Sequence, residues 1–222
     1  VTKQFINYHS LNLPNKPYQV KALKLAQSAL KNQKDIRLLD LGCADGSFLD
    51  YAAKKLQAIP FGLDINYQNP TITRFDLNSN QKLPHPDNHF DLIFALEIIE
   101  HLHDTDHFLQ ESYRLLKSHG FLVLSTPNLA SLKNRFRLVF NRYPQYLEYS
   151  TQGAGHIHLY TLPVLKSQIL NTKFKIINLV SPNFPCPGIT KNHFPPLIRH
   201  LAMFLGNIFP SLGSHLILVA QK

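Results

Sequence analysis

The sequence predicts an α/β protein: a doubly wound sheet of seven strands with helices on both faces, a three-layer sandwich. Three observations predict it. Short apolar runs of strand type alternate with stretches of helical apolar spacing, the pattern of a parallel sheet whose strands are joined by helices. The run FDLIFAL at 90–96 is apolar at nearly every position, as a parallel strand buried on both faces must be. IRLLDLG passes through Gly42 and Gly46 into a helical stretch, so a strand feeds a helix through a tight, glycine-bearing turn.

Each element follows from local pattern. Residues 1–15 are polar and read as an arm. From Lys16 to Gln33, Val20, Leu23, Leu25, Ala26 and Leu30 recur at roughly helical spacing. IRLLDLG is the first strand, and 47–55 is a helix with Phe48, Leu49 and Ala52 inward. The second strand, 61–65, is closed by Asp64 and Asn66. The third, 71–75, ends in Asp76. LNSNQKLPHPDNH is turn chemistry throughout. FDLIFAL is the fourth strand, 104–117 a helix, and FLVLSTP the fifth strand, stopped by Pro127. Residues 128–141 form a helix with Leu132, Phe136, Val139 and Phe140 on one side, and a loop with Tyr143, Pro144, Tyr146 and Tyr149 follows. A helix at 161–171 carries Pro163 in its first turn, where proline is tolerated. The sixth strand is 174–180, 182–196 is a Pro-rich connection, 195–209 an apolar helix and 215–222 the last strand. No repeat or linker interrupts this run, so one domain over 1–222 is expected.

Composition narrows the class. Of 222 residues, 44% are hydrophobic and 17% charged, enough for a real core and unlike a disordered tail. Twenty-three Lys and Arg against 14 Asp and Glu give a net charge of +9, which suits nucleic acid, anionic lipid or an acidic small substrate, or simply a solvated basic surface. The densest basic stretch, Lys133, Arg135, Arg137 and Arg142, is not the block of a nucleic-acid arm. Two distant cysteines, Cys43 and Cys186, make neither a disulfide framework nor a Cys-based zinc site. The first residues lack the layout of a secretion leader, and no apolar run of about 18 residues is present. A cytoplasmic setting is expected.

The turn after the first strand is the candidate binding loop. Gly42 and Gly46 allow a ligand close to the backbone, and the following helix offers free N–H groups. A dinucleotide loop would read G-x-G-x-x-G, but Ala44 and Ser47 stand at the later glycine positions. A Gly-Lys-Ser/Thr phosphate loop is also absent. Asp64, 18 residues after Gly46, can accept both hydroxyls of a ribose. Asp76 can accept from an exocyclic amine of a base. The plainer alternatives are an ordinary strand-to-helix turn, a structural carboxylate at Asp40 and a space-filling Cys43 in place of a reactive thiol.

Taken together, LLDLGCADGSFL, GLDI, FDLNSNQKLPHPDNHFDLIFALEIIEHL and RLLKSHGFLVLSTPN, in order over residues 36–127, resemble the Rossmann-like S-adenosylmethionine-dependent methyltransferases. The resemblance is closest to the branch of the ubiquinone-biosynthesis O-methyltransferases and the methionine-biosynthesis methyltransferase-like proteins. It implies a mostly parallel sheet whose last strand is antiparallel. It implies S-adenosylmethionine as cofactor, S-adenosylhomocysteine as product, and a cofactor core at about 36–127. Asp40, Gly42, Cys43 and Gly46 would surround the methionine part. Asp64 would hold the ribose with Ile65 against the adenine, Asp76 and Leu77 would bind the adenine, and Leu96 and Glu97 would line the cofactor.

Methyl transfer from a sulfonium asks mainly for in-line positioning, and for a base only when the acceptor must lose a proton. If 97–101 is helical, Glu97, Glu100 and His101 share one face and can hold a divalent metal. Some relatives resemble this Glu-x-x-Glu-His set in metal use, whereas many keep it without one, and a metal-free site is the favoured reading here. His101 and His158 are the catalytic candidates, and His156 and His158 in GAGHIHLYT fall on one side of an extended strand with Tyr160 nearby. His103 and His107 read as solvent-facing. The acceptor side is expected at 128–160 and 183–212. These segments are rich in Phe, Tyr and Leu and suit a small hydrophobic acceptor, with O-methylation favoured. The apolar helix at 197–209 reads as core, as a lid, or as a peripheral membrane contact. Two other functions stay open: a cofactor-binding partner or regulatory protein of the methionine-biosynthesis type, and an RNA methyltransferase.

Overall fold

The computed structural model describes residues 16–31, 33–145, 155–184 and 196–222. The expected arm at 1–15, Tyr146, Tyr149, Cys186 and most of the Pro-rich connection lie outside them. The elements are α1 (Pro17–Leu30), β1 (Arg37–Leu41), α2 (Ser47–Leu56), β2 (Ile59–Asp64), β3 (Ile72–Arg74), β4 (Phe90–Leu96), α3 (Thr105–Leu115), β5 (Leu116–Pro127), α4 (Leu132–Val139), α5 (Leu162–Asn171), β6 (Lys175–Val180), α6 (Pro196–Ile208) and β7 (His215–Gln221). Short 3-10 turns lie at Ile99–His101 and Pro210–Leu212.

The strands form one sheet in the order β3-β2-β1-β4-β5-β7-β6. β1 pairs in parallel with β2 and with β4, so strand order reverses between these neighbours. β2–β3 and β4–β5 are also parallel. β7 runs antiparallel to both β5 and β6, as expected for the last strand. The α/β fold with helices on both faces is thus as the sequence predicts.

Strand alternation builds the two cores. Leu39, Leu41, Ile93 and Ala95 face one layer, where Phe108 and Leu109 of α3 and Leu165 and Ile169 of α5 close over them. Leu38, Leu92 and Phe94 face the other, against Ala22, Leu23 and Ala26 of α1 and Phe48, Leu49 and Ala52 of α2. These strand residues are fully buried, each leucine, isoleucine or phenylalanine among them stabilising the fold by about 1.5–3 kcal/mol. Pro17 and Pro163 sit in the first turns of α1 and α5. Asp104 caps α3, its carboxylate accepting from the His107 N–H at 2.8 Å.

The bounds of α3, β5 and α4 differ most from the sequence expectation. α3 ends at Leu115, not Lys117, and β5 begins at Leu116, not Phe121. The N–H groups of Asn88 and His89 take the carbonyls of Arg114 and Leu115, so the chain leaves the helix there and pairs Leu116 with Phe90. α4 is confined to Leu132–Val139, because Asn128 is drawn into hydrogen bonds with the chain around Ser211 and Gly213. No helix among the described residues is long and apolar enough to cross a membrane.

Candidate functional site

The carboxyl ends of β1, β2 and β4 meet where strand order reverses, the place at which open α/β sheets build their ligand crevices. The loop after β1 takes three left-handed residues in quick succession: Gly42 at φ +77°, Ala44 at φ +50° and Gly46 at φ +83°. The N–H groups of Gly42 and Cys43 both donate to the Leu63 carbonyl, at 2.8 and 3.2 Å, which clamps the loop to the end of β2. A Cβ at Gly42 would lie 2.8 Å from Cδ1 of Ile98, and one at Gly46 would lie 2.8 Å from Cδ1 of Ile72. Packing and backbone conformation both call for glycine at 42, whereas at 46 the left-handed backbone does so and the contact is with the movable end of Ile72.

Asp64 closes this loop from β2. One carboxylate oxygen accepts from the Ala44 N–H at 2.9 Å and the other from the Asn66 N–H at 2.8 Å. Each oxygen keeps a second lone pair, so the group retains the capacity to accept a pair of hydroxyls. Beside it, Ile65 is exposed. Asp76 lies beyond β3 and is exposed, its carboxylate accepting from the Asn78 N–H at 2.9 Å, while Leu77 is half-buried on the core. Asn78, not singled out by sequence, joins this segment to the next one: its amide oxygen accepts from the His103 N–H at 2.7 Å.

Asp40 is buried at the end of β1. Burial, and then the neighbouring charge of Asp64, push its carboxyl up to about 7. Cys43 is buried and fits against Gly62, where a Cβ would come within 2.6 Å of its sulfur. Burial and nearby carboxylates push its thiol well up, which fits the space-filling reading and disfavours a thiolate. At the end of β4, Leu96 is half-buried. Glu97 adopts φ +56° and accepts from the Ser125 hydroxyl at 2.6 Å, with His215 Nε2 3.5 Å from its other oxygen. Burial and the adjacent Glu100 raise the Glu97 carboxyl.

The expected common face of Glu97, Glu100 and His101 does not form. The chain kinks at Glu97, and only Ile99–His101 make a 3-10 turn. Instead, the ligand atoms of Glu100, His101 and His156 lie within 4.8 Å of one another. His156, which sequence reading set apart from the acidic tripeptide, reaches it because the N–H groups of Ile157 and His158 both donate to the Glu100 carbonyl, at 2.7 and 3.0 Å. The His101 and His156 rings stand 4.7 Å apart. His101 Nδ1 lies 3.3 Å from the Gly155 carbonyl, an oxygen that only accepts, so a neutral ring carries its proton there and its acceptor at Nε2. His158 Nε2 donates to the His103 carbonyl at 3.4 Å. His103 is exposed as expected, whereas His107 is half-buried with Nε2 near the Gln81 carbonyl at 3.3 Å.

Glu100 is buried, and its Oε2 accepts from Thr126 at 2.9 Å. Its Oε1 is buried with no hydrogen-bond partner among the described residues. Burial raises this carboxyl too. A narrow cleft lined by Glu100, Pro127, Leu129, His156, His158 and Tyr160 opens beside it. The sequence showed STPN as a strand end, but not that Ser125 and Thr126 each hold a glutamate. By contrast, the buried Asp91 is bound by Lys117 at 2.8 Å at the start of β4, away from this end of the sheet.

Residues 15–179 match the family described as the methyltransferase domain, a match over well more than half of the chain. The chain belongs to that family. Among relatives of this methyltransferase-domain chain is a ubiquinone biosynthesis O-methyltransferase of Pelagibacter ubique, 32% identical over 127 residues, covering 53% of this chain and 52% of the relative. Another is the ajmaline N-methyltransferase of Rauvolfia serpentina, 28% identical over 105 residues, covering 41% and 36%. The matched part thus spans about half, or less, of these relatives. In architecture the chain resembles a S-adenosylmethionine-dependent methyltransferase from Archaeoglobus fulgidus, with a TM-score of 0.60 over 92% of this chain and 94% of that one at 18% identity.

Proposed function

We propose that this methyltransferase-domain chain binds S-adenosylmethionine at the ends of β1, β2 and β4 and methylates a small, hydrophobic acceptor, preferably at oxygen. The observation that carries the reading is a pair of carboxyl clusters at the ends of these strands: Asp40 with Asp64 at the glycine loop, and Glu97 with Glu100 after β4. Burial holds Asp40, Glu97 and Glu100 up, and like charge adds to this at Asp40 and Glu97. A cationic guest relieves both costs. The donor set therefore fits a ligand that carries a sulfonium and an amino group at one end and a ribose diol in its middle.

S-adenosylmethionine supplies a methyl group already activated on sulfur. The chain's own residues bind, orient and move a proton. Asp64 accepts from the ribose hydroxyls while staying anchored to the Ala44 and Asn66 N–H groups. Gly42 and Gly46 leave room for close backbone approach, and Ile65 and Leu77 offer apolar contact to the adenine beside Asp76. The cleft by Glu100 takes the acceptor. His101 is the group to receive a hydroxyl proton, and His156 and His158 line the acceptor's path. Of the two segments assigned to the acceptor side, 128–160 supplies Leu129, His156, His158 and Tyr160 to this cleft. A divalent ion, if used, would be held by Glu100, His101 and His156 and would polarise an acceptor oxygen; the methyl transfer as written needs none.

Calorimetry with S-adenosylhomocysteine tests the binding claim. Asp64→Ala is expected to weaken binding on the order of a hundredfold through the loss of two hydrogen bonds to a charged acceptor. Unchanged affinity removes the ribose assignment. Turnover with a panel of phenols and amines, with and without exhaustive chelation, then decides between oxygen and nitrogen and between metal-free and metal-assisted transfer.

A further inference from the structure

α1, α2, α3 and α5 each bury large apolar side chains against the sheet. α6 does the reverse. It meets the edge of the sheet through small residues: the Phe184 N–H donates to the Ala202 carbonyl at 2.9 Å, and the Ser181 N–H to the Gly206 carbonyl at 3.0 Å. A Cβ at Gly206 would lie 2.8 Å from the Ser181 carbonyl oxygen, so nothing larger fits there. The large residues Leu197, Leu201, Phe204 and Ile208 follow at i, i+4, i+7 and i+11, a single stripe along the helix. They are 80, 54, 59 and 51% exposed. A core helix would bury this stripe.

A second apolar surface lies at the same end of the fold. Phe136, Leu138, Val139 and Phe140, in and just after α4, are exposed. They alternate with Lys133, Arg135, Arg137 and Arg142, and none of these four forms an ion pair among the described residues. Asn128 ties the two surfaces together. It leads into α4, and its amide donates to the carbonyls of Ser211 and Gly213, just past α6, at 2.9 and 2.8 Å.

Charge is divided between the two halves of the chain. Residues 112–222 contain twelve Lys and Arg and one acidic residue, Glu148, so the half that bears both apolar surfaces is strongly cationic. A second copy docking here would set two such halves against each other. A nucleic acid would satisfy the charge and leave the leucine and phenylalanine stripe in water. An anionic bilayer takes both features, apolar side chains at the acyl boundary and cations at the headgroups. We propose that the protein docks peripherally on an anionic lipid surface through the α6 stripe and the basic, aromatic α4 region.

The test is sedimentation of the full chain with vesicles, without cofactor, so that its outcome does not depend on methyl transfer. Vesicles containing phosphatidylglycerol are expected to carry the protein down, pure phosphatidylcholine vesicles much less, and added salt to release it. Lys133→Gln, Arg135→Gln and Arg142→Gln together should lower partitioning on the order of a hundredfold, at about fivefold for each cation lost near the surface. Leu201→Ser with Phe204→Ser should lower it at least about tenfold, given the apolar area withdrawn. Both variants should keep the parent melting temperature and S-adenosylhomocysteine affinity. Equal partitioning onto neutral and anionic vesicles, or unchanged partitioning in both variants, overturns the proposal. So does a solution dimer that Leu201→Ser with Phe204→Ser dissolves, which would assign the stripe to a second copy.

Discussion

Gly42 answers to two demands at once. Its φ of +77° is costly for any residue with a Cβ, and the space a Cβ would need is held by Ile98. Left-handed strain of about 1–2 kcal/mol and overpacking of about 1–3 kcal/mol act together in Gly42→Ala. That substitution should cost roughly 2–5 kcal/mol in urea unfolding; a loss of only about 1–2 kcal/mol, the backbone strain alone, would show that Ile98 moves aside freely. Asp40 offers a second residue-scale test. Its folded value of about 7 lies above the unfolded value of about 4. Between those values the folded chain holds a proton that the unfolded chain has released, so stability falls as pH rises through this window and levels off above it. Asp40→Asn removes that contribution. The drop in melting temperature from pH 5 to pH 8 should be smaller in the variant than in the parent, and an equal drop would remove Asp40 from the account.

At the scale of elements, the decisive piece is the kinked stretch between β4 and α3. Thr126 on β5 donates a side-chain hydrogen bond to Oε2 of the buried Glu100, whose Oε1 has no partner among the described residues. Thr126→Val removes this side-chain hydrogen bond from a buried carboxyl and should cost about 1–3 kcal/mol. The hydrogen bond favours the ionised form of Glu100, so the cost should be larger at pH 8 than at pH 5 in paired denaturation curves; equal costs would contradict that role. This stretch also marks where sequence reading stops. The strands and helices were legible because Leu38, Leu39, Ile93 and Phe94 alternate between two cores and Pro17 and Pro163 mark helix starts. Asp64 was legible because a strand end fixes where its side chain points. The convergence of His156 on Glu100 and His101 was not, because it depends on backbone hydrogen bonds across more than fifty positions of chain and on a left-handed Glu97. Helical spacing placed Glu97 with Glu100 and His101, and a single dihedral undid it.

At the scale of the whole molecule, the sheet gathers carboxyl groups at one end, at or just after the ends of β1, β2 and β4, while Lys133, Arg135 and Arg137 of the later half lie on α4. Ligand binding should therefore respond to pH with a definite sign. Asp40, Glu97 and Glu100 are all held above the ordinary carboxylate range, so they ionise as pH rises from about 6 to 8. Each charge gained favours a sulfonium over the neutral thioether of the product. The affinity for S-adenosylmethionine relative to S-adenosylhomocysteine should accordingly rise over this window by several-fold, since one unit of altered pKa corresponds to about 1.4 kcal/mol. Calorimetry of both ligands at pH 6, 7 and 8 reads the ratio directly. Because the two ligands share ribose, adenine and amino-acid groups, contacts to those parts cancel in the comparison. A ratio that stays flat, or falls, would mean that these carboxyl groups do not face the sulfur, and the methyl donor would have to sit elsewhere along the sheet.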